Sequence, residues 1–134
     1  MTKLLDIEGI GPAYAKKLEE AGIGSLEALL SAGKKPAGRK ALAEKTGIAD
    51  KLILEWVNHA DLFRIKGVGS EYADLLEEAG VDTVPELAKR VPANLLKKME
   101  EVNAQKKLVR RLPTEDMVKD WVAQAAALPR EIEY

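Results

Sequence analysis

Cysteine is absent and histidine occurs once, at position 59. The first absence removes disulfides, thiolate metal sites and a thiol nucleophile, and the second removes any ligand set built on several imidazoles. Aromatic residues make up only 4% of the chain, too few for a platform on which successive bases stack. No apolar run nears the roughly 18 residues of a membrane span. The start MTKLLDIEG has neither the basic opening nor the apolar stretch of a secretory leader, so a cytoplasmic protein away from membranes is expected. Neither sign of charge is in excess. Twenty-one basic residues stand against 22 acidic ones, a net charge of −1, whereas a protein held on nucleic acid by charge alone is usually clearly basic.

What the chain does have is 46% hydrophobic residues in 134, enough for a core of ordinary size, and a repeated segment. IEGIGPAYAKKLEEAG at 7–22 returns 58 positions later as IKGVGSEYADLLEEAG. Over 7–31 against 65–89, 11 of 25 positions are identical, among them Gly9/Gly67, Gly11/Gly69, Tyr14/Tyr72 and Leu18/Leu76. Further on, LILEWVNHADLF (52–63) resembles MVKDWVAQAAAL (117–128), with Trp56 matched to Trp121 at an offset of 65. The larger offset implies an insertion of about seven residues in the second half, near 104–113, with KKLVRRLP (106–113) as the candidate.

Helical periodicity runs through almost the whole chain and alternating β-branched stretches are missing, which predicts an all-α fold. Two pseudo-repeats are expected, 1–63 and 64–134, packed as one compact helical domain and one rigid body, since no linker rich in Gly, Ser or Pro separates them. Pro12 suits the first turn of a helix ended by Gly22, and Ser25 suits the cap of the next, with Leu26, Leu29 and Leu30 inward. Thr83 with Glu86 reads as a capping box. KKPAGRK reads as a loop before a helix at about 39–46, and Asp50 as the cap of a helix over 51–62. In the second half, helices are expected at 70–79, 84–90, 93–102 and 115–127, with EEVNAQKK a plain connection. Leu52, Ile53, Trp56, Val57, Ala60 and Phe63 form one apolar stripe, matched by Met117, Val118, Trp121, Val122, Ala125 and Leu128, and both read as core. The tail PREIEY reads as polar and frayed.

The pattern apolar-x-Gly-apolar-Gly-x-x-x-Ala-x-x-Leu, present as IEGIGPAYAKKL and IKGVGSEYADLL, resembles the helix-hairpin-helix motif. Each half is similar to the N-terminal domain of archaeal and eukaryotic strand-exchange recombinases, with TGIADKLILEW as a second, weaker hairpin. The doubled arrangement resembles an uncharacterised bacterial family of tandem helix-hairpin-helix proteins, a domain of unknown function. Glycines let the chain reverse between helices, and Ile10 or Val68 plugs the space between. Amides after the turn lie at a helix start, unpaired and at the positive end of the dipole, where one phosphate fits. The expected function is therefore non-enzymatic, sequence-independent binding of a DNA backbone, weak and non-specific.

The residues expected to carry it are Gly9, Ile10, Gly11 and Ala13 through backbone amides, Lys16 and Lys17 through charge, and Gly67, Val68, Gly69 and Ser70 in the second copy. There, Glu71 and Asp74 oppose a phosphate, while Arg64 and Lys66 precede the turn. Basic runs stand at KKPAGRK and KKLVRR, the latter with Lys106, Lys107, Arg110 and Arg111 on one face if helical; they read first as solvated charge and, if both flank the first hairpin, as one DNA-tracking surface. The alternative is a protein-interaction or scaffold module whose hairpins are purely structural. His59 reads as a surface or capping residue, and Tyr14 and Tyr72 as rings packed on the hairpin with the hydroxyl near the surface. No catalytic residue, metal site or cofactor is expected, and the chain is expected to be a monomer.

Overall fold

The computed structural model describes residues 3–7 and 9–134. Among the described residues there is a short 3-10 turn at Leu4–Asp6, eight α-helices and no strand. The helices are α1 Pro12–Glu20, α2 Leu26–Gly33, α3 Pro36–Thr46, α4 Asp50–Leu62, α5 Ser70–Glu78, α6 Val84–Ala88, α7 Pro92–Lys106 and α8 Glu115–Ala127. The chain divides into two compact units, one formed by the residues up to Asp61 together with Glu131–Tyr134, the other by Leu62–Arg130.

In the first unit, the apolar faces are set by spacing. Ala15 and Leu18 of α1, Leu26 and Leu29 of α2, Leu42 of α3 and Ile53, Trp56, Val57 and Ala60 of α4 are all buried. Four of the five stripe residues on α4 are thus core and Leu52 is half-buried, while Phe63, just past the helix, is half-buried in the second unit. The Ser25 hydroxyl accepts from Ala28 N–H at 3.1 Å, the cap its position implies. Gly47 closes α3 at φ 73, and Thr46 Oγ1 donates to Leu42 O at 2.6 Å while accepting from Ile48 N–H at 3.2 Å, which turns Ile48 into the core.

Three expectations are corrected in this unit. Helix α3 begins at Pro36, not near 39, with Pro36 in the first turn, where its missing N–H costs no hydrogen bond. Gly38 lies inside that helix because a Cβ there would run into the Ala32 carbonyl oxygen of α2, which packs on α3. The tail is docked, not frayed: Ile132 is buried and Glu133 N–H donates to Lys34 O at 2.7 Å. His59 is buried as well.

In the second unit, α8 packs on α6 and α7, and α5 packs on α7, around Leu75, Leu76, Leu87, Leu95, Met99 and Trp121. Val118, Trp121 and Ala125 of the second stripe are buried, while Met117, Val122 and Leu128 pack partly buried against them. The Thr83 hydroxyl caps nothing; Glu86 Oε2 instead accepts from Asp82 N–H at 3.5 Å. A capping box closes on Thr114, which accepts from Met117 N–H at 3.1 Å while the Met117 sulfur faces Thr114 N–H at 3.5 Å. EEVNAQKK is not a connection, since α7 continues through it to Lys106 and ends on Lys107 at φ 51. Asn103 then holds the following loop, with Val109 N–H to its Oδ1 at 3.0 Å and its Nδ2 to Val109 O at 3.3 Å. No helix of the described residues is long and apolar enough to cross a membrane.

Candidate nucleic-acid interface

The first hairpin is built by two successive i to i+3 bonds, Ile7 N–H to Leu4 O at 3.1 Å and Ile10 N–H to Ile7 O at 3.1 Å. Between them Gly9 takes φ 95, a conformation that side chains with a Cβ rarely adopt. Ile10 is buried and fills the inside of the bend. Its amide is therefore spent on Ile7, so Ile10 contributes its side chain and not the donor expected of it; Glu8 lies outside the described residues. Gly11 is the extended N-cap, Pro12 has no N–H, and the first bond of α1 is Ala15 N–H to Gly11 O at 2.9 Å. The N–H groups of Gly11, Ala13 and Tyr14 precede that bond, and no described residue accepts from them. No acidic residue stands in this first turn.

Ala13, Lys16 and Lys17 are exposed on the same short helix. Lys17 Nζ lies 6.0 Å from the centre of the Tyr14 ring, and Lys16 has no ion-pair partner among the described residues. The Tyr14 ring meets Trp56 edge-on with centroids 5.1 Å apart, and Trp56 Nε1 is 3.5 Å from the point a Cβ on Gly9 would occupy. Trp56 thus supports the bend directly from α4. Sequence reasoning assigned it only to the core; its recurrence at a fixed place in each half was the available signal.

The second hairpin repeats these bonds with other charges. Ile65 N–H reaches Leu62 O at 3.1 Å, Val68 N–H reaches Ile65 O at 3.2 Å, and Gly67 takes φ 96. Val68, like Ile10, is buried with its amide consumed. Gly69 caps α5, whose first bond is Ala73 N–H to Gly69 O at 2.8 Å, leaving the N–H groups of Ser70, Glu71 and Tyr72 at the helix start. Here Glu71 stands in the first turn, where its carboxylate satisfies the helix dipole that a phosphate would otherwise meet.

On the basic flank of this second turn, the Arg64 side chain and the Lys66 backbone are both engaged. Arg64 donates to Pro129 O at 2.7 Å. Gln124 clamps the backbone of Lys66, accepting from its N–H at 2.8 Å and donating to its carbonyl at 3.1 Å. Nothing in the sequence marked Gln124, because an amide on an exposed helical face carries no periodic signal. The Tyr72 ring lies 5.2 Å from Trp121, and its hydroxyl donates to Arg111 O at 2.9 Å.

Each of the two basic runs is interrupted. Arg39 of KKPAGRK is buried, donating to Gly33 O at 2.8 Å and to Glu133 O at 2.9 Å. In KKLVRR the helix stops at Lys106 and Lys107 is left-handed, so Lys106, Lys107, Arg110 and Arg111 do not share a helical face. Of the candidate residues, only the first hairpin brings together open amides, exposed lysines on the helix that follows and a first turn with no acidic residue.

No curated protein and no solved structure matches the chain. Residues 8–128 match the family described as Domain of unknown function (DUF4332), and the chain belongs to that family.

Proposed function

We propose that this is a non-enzymatic, tandem helix-hairpin-helix protein whose first hairpin holds a nucleic-acid backbone, DNA in the first instance, without reading bases. One observation carries the reading: the start of α1 offers the Gly11, Ala13 and Tyr14 amides with no acidic residue in the first turn, and exposed Lys16 and Lys17 follow within the same helix. Helix-start amides and the positive end of the dipole suit one phosphate, and lysines add charge without sequence preference. With so few phosphate contacts the affinity is on the order of 10⁻⁴–10⁻⁶ M near physiological salt and falls as salt rises.

A second reading, a scaffold or protein-interaction module, is favoured by Glu71 at the start of α5 and by the net charge of −1. It fits the second hairpin better than the first. Fluorescence anisotropy with a labelled duplex at low and moderate salt decides between them. Binding that weakens with salt and is lost in the Lys16→Glu/Lys17→Glu protein supports the backbone reading. Absence of binding at low salt, or indifference to the double charge reversal, leaves only the scaffold.

A further inference from the structure

The segment after α8 returns to the first unit and is held there by contacts of several kinds. Ile132 is 2% exposed. Glu133 pairs through its backbone on both sides, its N–H to Lys34 O at 2.7 Å and its carbonyl accepting from Arg39 at 2.9 Å. Its carboxylate stands 4.0 Å from Lys35 Nζ. Tyr134 donates its hydroxyl to Asn58 Oδ1 at 3.1 Å, and the Arg39 guanidinium lies 5.9 Å from its ring centre. Arg39 is itself fixed by Gly33 O at 2.8 Å, so the guanidinium is preset for a carbonyl and an aromatic face.

This is how a receptor holds an extended peptide. Main-chain bonds on one residue fix the strand, while an apolar side chain before it and an aromatic one after it select the sequence. Arg39 also lines a concavity of about 360 Å³ with Pro36, Asp50, Lys51 and Leu54. That volume leaves room for a longer segment to make contacts the tail does not.

We propose that the face formed by the α2–α3 junction and α4 is a recognition site for an extended segment of a partner protein reading aliphatic, acidic, tyrosine, and that the chain's own Ile132–Tyr134 is its resident competitor. A tethered segment experiences an effective concentration on the order of millimolar, so a tail that stays seated implies a seat that binds the free sequence more tightly than about 1 mM. A partner segment that also enters the concavity displaces the tail.

The test uses the full chain carrying Ile132→Asp, which unseats the tail, titrated against a fluorescent PREIEY peptide. Saturable binding below about 1 mM is expected, at least tenfold weaker to the unsubstituted chain and absent for a peptide with the same Ile132→Asp change. A chain of unchanged helical signal that does not bind, or binds both peptides alike, overturns the proposal. Should the substituted chain lose its helical signal, hydrogen exchange on the unsubstituted chain decides. The Glu133 amide is expected to exchange at least tenfold more slowly than in the free peptide, and equal rates overturn the proposal. Sedimentation near 1 mM supports a foreign partner if the unsubstituted chain stays monomeric; a dimer abolished by Ile132→Asp would assign the seat to a second copy and overturn the partner claim.

Discussion

The Nε1 atom of Trp121 stands 3.1 Å from the point a Cβ on Gly67 would occupy, and the indole is buried with its ring centre 5.2 Å from that of Tyr72. At Gly9 the matching distance, to Trp56 Nε1, is 3.5 Å, an ordinary contact. Both glycines sit at positive φ, 95 and 96, where an added Cβ costs about 1–2 kcal/mol on backbone grounds alone. Gly9→Ala is expected to lose about that much. Gly67→Ala is expected to lose about 1 kcal/mol more, because the indole must also shift in a filled core. Urea denaturation of both variants checks the order, and Trp121→Phe in the Gly67→Ala background should recover part of the extra loss by removing the Nε1 edge.

Replacing a glycine in a helix interior with alanine ordinarily gains about 1 kcal/mol. Gly38 reverses the sign. Its Cβ would collide with the Ala32 carbonyl oxygen, a backbone atom of the neighbouring helix that cannot rotate away. Gly38→Ala is expected to destabilise by about 1–3 kcal/mol net, the usual cost of forcing volume into a packed contact. A thermal melt showing any gain in stability would mean that α2 and α3 do not approach as closely as described.

Gly38 also shows where the sequence stops being legible. Proline and glycine close together read as loop punctuation, yet Pro36 is at home in a first turn and Gly38 is required by a contact with α2 that no local pattern encodes. Local chemistry told more elsewhere. Ser25 caps α2, the Trp56 and Trp121 stripes are buried at their centres, and α8 covers 115–127 as its spacing predicts. The burial of Ile132 and Arg39 escaped because each depends on partners far along the chain. At the candidate site, the glycines, Lys16 and Lys17 could be picked out by eye. The inward bonding of the Ile10 and Val68 amides could not, since it is fixed by the i to i+3 bonds of the bend and not by residue type.

Glu71 occupies the place in α5 that Ala13 occupies in α1, and the two starts otherwise share their backbone pattern of an extended glycine cap and a first bond to its carbonyl. A carboxylate about 5 Å from a docked phosphate opposes it by about 0.8 kcal/mol even at the dielectric of water, so its removal is worth about fourfold in affinity. The same carboxylate favours the helix that it begins, by about 0.3–1 kcal/mol through the dipole. Glu71→Ala is therefore expected to move two observables in opposite directions. Duplex binding by anisotropy tightens about fourfold and its dependence on log salt steepens by about one, while the urea midpoint falls slightly. A lower midpoint with unchanged binding would confine phosphate contact to the first hairpin and leave the second as a purely structural bend.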